Sequence, residues 1–172
     1  TNIYHGAIFY GVRGTAGSRT SWMNLSRAYH DLPDGIKDKI KNLHAYTKTP
    51  HKDEEDPIVK IREKHNEIWW EKKSKIPKKV HFINEIGTEG MAYPHLFMEK
   101  FVGYDDNERE ELHSFMCEHV LQEKYLYHHD WEDGDAVLSE QRLTQHKRWA
   151  FENIENRLLY RTSFDFRNVA GK

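Results

Sequence analysis

A chain of 172 residues is long enough for one domain with a real core, and 13% aromatic residues supplement a modest 37% hydrophobic content, which excludes simple disorder. A net charge of −2, from 26 basic and 28 acidic residues, gives no basic surface for nucleic acid, and no apolar run reaches membrane-spanning length, so neither is an expected partner. The single cysteine, Cys117, excludes an internal disulfide and a multi-cysteine metal site, and without a signal-peptide pattern a cytoplasmic location is the expectation.

Residues 6–12 form a short apolar run bounded by glycines and predict a buried strand. Gly14, Gly17 and Ser18 mark a loop, and Asn24 caps a helix over residues 25–32. Pro33-Asp34-Gly35 predicts a break, after which Ile36, Ile40 and Leu43 share one face of a second helix over residues 36–45. Residues 47–79 read as an insertion: a charged, proline-flanked loop, then an exposed amphipathic helix over 58–76 carrying Trp69-Trp70, which pins that helix to the body or forms a contact surface. Residues 80–83 and 93–98 predict strands, linked through Gly87 and Gly90. Asp106 or Asn107 caps a helix that runs to Leu121 and buries Cys117. Residues 125–131 and 136–139 predict a strand pair around a turn at Glu132-Asp133-Gly134, and residues 157–166 a last strand. Several short strands with outlying helices suit a β-sandwich or barrel with flanking helices in one domain; no internal repeat is present.

The segment most informative about function lies near the C-terminus. After Trp131, Gly134-Asp135, a strand and Glu140-Gln141-Arg142 comes the isolated His146, with Arg157 and Arg161 at offsets of 11 and 15. Imidazole suits iron, zinc or copper, and arginine is the preferred fork for a carboxylate, so the order fits a metal ligand beside an anion pocket.

These residues resemble the C-terminal part of the TauD/TfdA-type (taurine dioxygenase-like) Fe(II)/2-oxoglutarate-dependent oxygenases. Trp131, Gly134 and Asp135 match the approach to the distal histidine strand; Glu140-Gln141-Arg142 stands where Asp-Asn-Arg is usual; His146 matches the distal iron ligand. Thr15-Ala-Gly17-Ser-Arg-Thr20 resembles the family's Gly-Gly-Asp-Thr turn, and residues 21–43 its following helical stretch. The resemblance implies a mainly β fold with a double-stranded β-helix (jelly-roll) core and flanking helices. It implies Fe(II) and 2-oxoglutarate as cofactors, with His146 on the metal, Thr20 and Arg157 on the far carboxylate of 2-oxoglutarate, and Arg161 on an anionic substrate group. A small-molecule substrate and dioxygen are the implied partners; homo-oligomerisation is left open.

One departure accompanies the match. The family's other two metal ligands, a His-x-Asp/Glu pair, fall by spacing shortly before Thr1, and His5 has no carboxylate two positions on. The expectation is therefore a fragment of a longer oxygenase domain, with two alternatives: a non-catalytic jelly-roll binding module, or a halogenase relative lacking the carboxylate. His128-His129-Asp130 formally contains His-x-Asp, but its position just before the Gly-Asp turn predicts a strand end with solvated side chains.

Overall fold

The computed structural model describes residues 5–48, 76–152 and 154–165. The amphipathic helix expected over 58–76 and Trp69-Trp70 lie outside them, apart from Ile76. The described chain is mainly β, with helices to one side. In order it forms β1 (Gly6–Arg13), β2 (Arg19–Asn24), α1 (Leu25–His30), α2 (Asp34–Asn42), β3 (His44–Thr47), β4 (Lys78–Lys79), β5 (His81–Ile83), β6 (Glu89–Met91), β7 (Met98–Phe101), α3 (Asp106–Val120), β8 (Leu126–Asp130), β9 (Ala136–Glu140), β10 (Thr144–Arg148) and β11 (Leu158–Phe164). None of the described helices is long and apolar enough to cross a membrane.

Two antiparallel sheets, β11-β1-β9 and β10-β2-β8, face each other and build the jelly-roll core. Alternation along β1 turns Ala7 and Phe9 inward and leaves Ile8 and Tyr10 exposed, so only one face of the expected buried strand is buried. Phe9 meets Trp22 of the opposite sheet edge-on, at 5.5 Å between ring centroids. Together with Ala7 and Trp131 they form a small aromatic core between the sheets. A larger aliphatic core lies beside it, where α1, α2 and α3 cover β3, β6 and β7 through Leu25, Tyr29, Ile40, Met91, Phe101 and Met116.

The helices follow their local signals. Asn24 Oδ1 accepts from Arg27 N at 2.9 Å, the expected cap. Asp105, one residue before the expected cap, closes a capping box with Glu108, and Leu112, Met116 and Val120 recur at i, i+4, i+8 on the buried face of α3. Cys117 on that helix is half-buried, its Sγ 3.6 Å from His113 Nε2, rather than buried as a small hydrophobe.

Several expectations are corrected. Residues 21–24 are strand, not helix: Thr20 to Met23 are all buried because β2 is the central strand of its sheet. The Pro33-Asp34-Gly35 break instead starts α2, with Pro33 accepting from Lys37 N at 2.9 Å, and the chain leaves that helix at Leu43 because His44–Thr47 pairs with β7 and β4. Residues 95–97 form a 3-10 turn, so the strand expected over 93–98 begins only at Met98. The segments around Glu132-Asp133-Gly134 do not pair with each other: β8 pairs with β2 and β9 with β1, so the turn carries the chain from one sheet to the other. Trp131, 1% exposed, lies at this crossing and packs between the sheets with Ala7, Phe9 and Trp22. Gly134, at φ 96°, closes the crossing by donating to Gly11 O at 2.7 Å.

Candidate active site

His146 sits in the middle of β10, in the sheet opposite β9. The register pairs His146 with Trp22 and Arg148 with Thr20 on β2, so these four side chains share one face. That face looks into the gap between the sheets, since Trp22 touches Phe9 and Thr20 Oγ1 accepts from the buried Trp131 Nε1 at 2.9 Å. The His146 ring packs edge-on against Phe9 at 5.0 Å and lies 6.3 Å from the Trp22 ring.

The opposite sheet supplies the two predicted arginines. Phe9 pairs with Arg161 across β1 and β11, and the Arg161 guanidinium lies 5.6 Å over the Phe9 ring while donating to Gln141 Oε1 at 2.8 Å. Arg161 is exposed, at the rim above His146. Arg157, just before β11, is half-buried and donates through Nε to Ser18 Oγ at 3.2 Å, two residues before Thr20. His146, Thr20, Arg157 and Arg161 are thus drawn to one cleft. The imidazole and Arg161 lie at one rung and Thr20 and Arg157 about two residues along the strand, roughly 7 Å away.

Charge states follow from this packing. Partial desolvation against Phe9 and Trp22, reinforced by the positive charge of Arg161, holds the His146 imidazole below its ordinary pKa even though the residue keeps an exposed edge, which favours the neutral form that binds metals. Burial, with the nearby charge of Arg148, lowers Arg157, although a guanidinium stays cationic at neutral pH. His146 thus fits as one ligand of a divalent metal. Among the described residues no group of three or more His, Cys, Asp or Glu is placed to hold a metal ion, so no reaction step through a metal follows from them. The hydroxyl and guanidinium of Thr20 and Arg157 fit a carboxylate.

His128-His129-Asp130 is split by strand alternation. His128 and Asp130 point to the outer face: His128 bonds with Ser21 Oγ at 2.5 Å and Glu123 Oε1 at 2.8 Å, and Asp130 takes a fork from Arg19 at 2.6 and 2.7 Å. Only His129 shares the inner face, with Nε2 3.2 Å from Asp135 and its ring 4.5 Å from Trp131. Sequence reasoning missed Trp22 and Arg148. The signal that would have found them is period-2 alternation from Thr20 and from His146, once each is placed inside a strand.

Residues 3–163 match the family described as taurine catabolism dioxygenase TauD, TfdA family, and the chain belongs to that family. An alkylsulfatase from Acinetobacter baylyi is 26% identical over 138 residues, covering 76% of this chain and 42% of the relative. An alpha-ketoglutarate-dependent sulfate ester dioxygenase from Pseudomonas putida is 26% identical over 140 residues, 78% of this chain and 46% of the relative. The structure of a taurine dioxygenase from Burkholderia xenovorans superposes with a TM-score of 0.72 at 21% identity, covering 95% of this chain and 52% of that one. AAD-2 in complex with Mn(II) and N-oxalylglycine superposes with a TM-score of 0.71 at 18% identity, covering 94% of this chain and 63% of that one. The chain spans less than half the length of these two curated relatives.

Proposed function

We propose that the protein is an Fe(II)/2-oxoglutarate-dependent dioxygenase, of which this chain carries the distal histidine and the 2-oxoglutarate pocket. The observation that carries the reading is the convergence of His146, Thr20 and Arg157 on the space between the two sheets, in a chain that belongs to the TauD, TfdA family. Iron with 2-oxoglutarate and dioxygen supplies oxidation of an unreactive C–H bond. The chain's own residues do the positioning. His146 offers a neutral imidazole, Thr20 and Arg157 hold the far carboxylate, and Phe9 and Trp22 pack against the imidazole ring and fix its orientation.

The substrate is a small anionic molecule of the organic sulfate-ester or sulfonate class. Arg161 supports this, an exposed guanidinium at the rim beside His146, and so do the names of the alkylsulfatase and sulfate ester dioxygenase relatives. The test is succinate formation from 2-oxoglutarate with Fe(II), stimulated by a panel of alkyl sulfates and alkanesulfonates. His146→Ala is expected to abolish turnover while leaving the circular dichroism spectrum unchanged. Turnover at the parent rate in that variant overturns the reading.

A further inference from the structure

Arg148 stands two residues after His146 on the same inner face of β10, opposite Thr20. Its Nη1 is buried and has no hydrogen-bond partner. No carboxylate among the described residues pairs with Arg148 or with Arg157. The two guanidinium groups are close enough that the charge of Arg148 weighs on Arg157. Two half-buried like charges held near each other repel, one of them with a buried idle donor, and an anion between them relieves both costs.

The donors can be counted against such an anion. Arg157 spends Nε on Ser18, which leaves its two terminal nitrogens as a fork. Trp131 Nε1 can only donate, so it occupies a lone pair of Thr20 Oγ1 and leaves the Thr20 proton free. The fork, the hydroxyl proton and the idle Arg148 Nη1 make about four donors, which matches the roughly four lone-pair sites of one carboxylate.

We infer that Arg148 is a second anchor for the far carboxylate of 2-oxoglutarate, acting with Arg157 and Thr20. The inference rests on the oxoglutarate pocket proposed above and deepens it. The pocket end is doubly cationic and selects a dicarboxylate over a monocarboxylate oxoacid.

The test is a calorimetric titration under nitrogen, with Fe(II) supplied, of 2-oxoglutarate and of 2-oxobutanoate, which keeps the keto-acid end but lacks the far carboxylate. Arg148→Gln, Arg148→Met and Arg157→Gln are compared with the parent. Both Arg148 variants are expected to weaken 2-oxoglutarate by about tenfold or more, the size of one charge-assisted hydrogen bond, and to leave 2-oxobutanoate unchanged. Should Arg148→Gln lose its fold by circular dichroism, Arg148→Met, which keeps the packing of the stem, decides. Parent-like affinity for 2-oxoglutarate in the Arg148 variants, together with loss in Arg157→Gln, overturns the inference alone. Parent-like affinity in Arg157→Gln as well overturns the pocket itself and the inference with it.

Discussion

Trp131→Phe isolates the contact that ties the fold to the pocket. The Trp131 ring is 1% exposed, and its Nε1 donates to Thr20 Oγ1, itself 4% exposed, at 2.9 Å. Phenylalanine keeps most of the wedge between the sheets but removes the donor and part of the ring. The vacated space, a few tens of Å³, costs on the order of 1 kcal/mol at ~24 cal/mol per Å³. The buried hydrogen bond contributes about 1 kcal/mol, and more if Thr20 finds no replacement donor. A total of roughly 2–3 kcal/mol lowers the melting temperature by about 4–12 °C for a chain of this size. Thr20→Val removes the other partner and strands the indole N–H, so the double-mutant cycle is expected to show a coupling of about 1 kcal/mol. Urea unfolding followed by tryptophan fluorescence and circular dichroism measures all four proteins. A coupling indistinguishable from zero refutes the bond, and a melting temperature within about 2 °C of the parent refutes the wedge.

The Glu85 carboxyl is held well below the usual carboxylate range by the hydrogen bonds from Arg142, against a smaller cost of burial, and then by His5. Its folded pKa lies below its unfolded one, so its stabilisation is complete above about pH 4.3 and fades as pH falls below that. The urea midpoint of the parent is therefore expected to fall more steeply through this acid range than that of Glu85→Gln, and parallel curves refute the claim. Gly14, at φ 61°, has Asn156 O 2.5 Å from where a Cβ would stand. Gly14→Ala is expected to cost about 1–3 kcal/mol and, by displacing the carbonyl next to Arg157, to weaken 2-oxoglutarate binding; parent-like stability refutes the strain. Arg157→Ala is expected to raise the KM for 2-oxoglutarate at least about tenfold, whereas Arg161→Ala, at the exposed rim, mainly raises the KM for the prime substrate. The reverse pattern refutes the assignment of the two arginines.

Much of the frame was legible because its signals are local. The glycine-bounded run of β1, the Asn24 cap, the period of α3 and the apolar start of β11 each depend on a few neighbouring residues. What failed depended on partners distant in sequence. β2 lacks alternation because neighbouring strands and the two cores bury both its faces, so Ser21-Trp22-Met23 reads as the start of the helix it precedes. The strands flanking Glu132-Asp133-Gly134 look like a hairpin because they adjoin in sequence, yet they pair with β2 and β1 in different sheets. The family spacing singles out Arg157 and Arg161 without ranking their exposure; Arg161 pairs with Phe9 within β11 and is exposed, whereas Arg157 precedes the strand and is half-buried.

The least legible element is the one that matters most. β10 reads Thr-Gln-His-Lys-Arg, with no apolar residue to announce a strand. Its inner face bears His146 and Arg148, and a strand with polar residues on both faces cannot show the hydrophobic alternation that identifies strands. The idle, buried Nη1 of Arg148 destabilises the ligand-free fold, and the aromatic packing of Phe9, Trp22 and Trp131 offsets that cost. The disagreement between sequence pattern and structure at β10 therefore falls on the candidate site. It directs attention to Arg148, which the spacing of the other residues does not reveal.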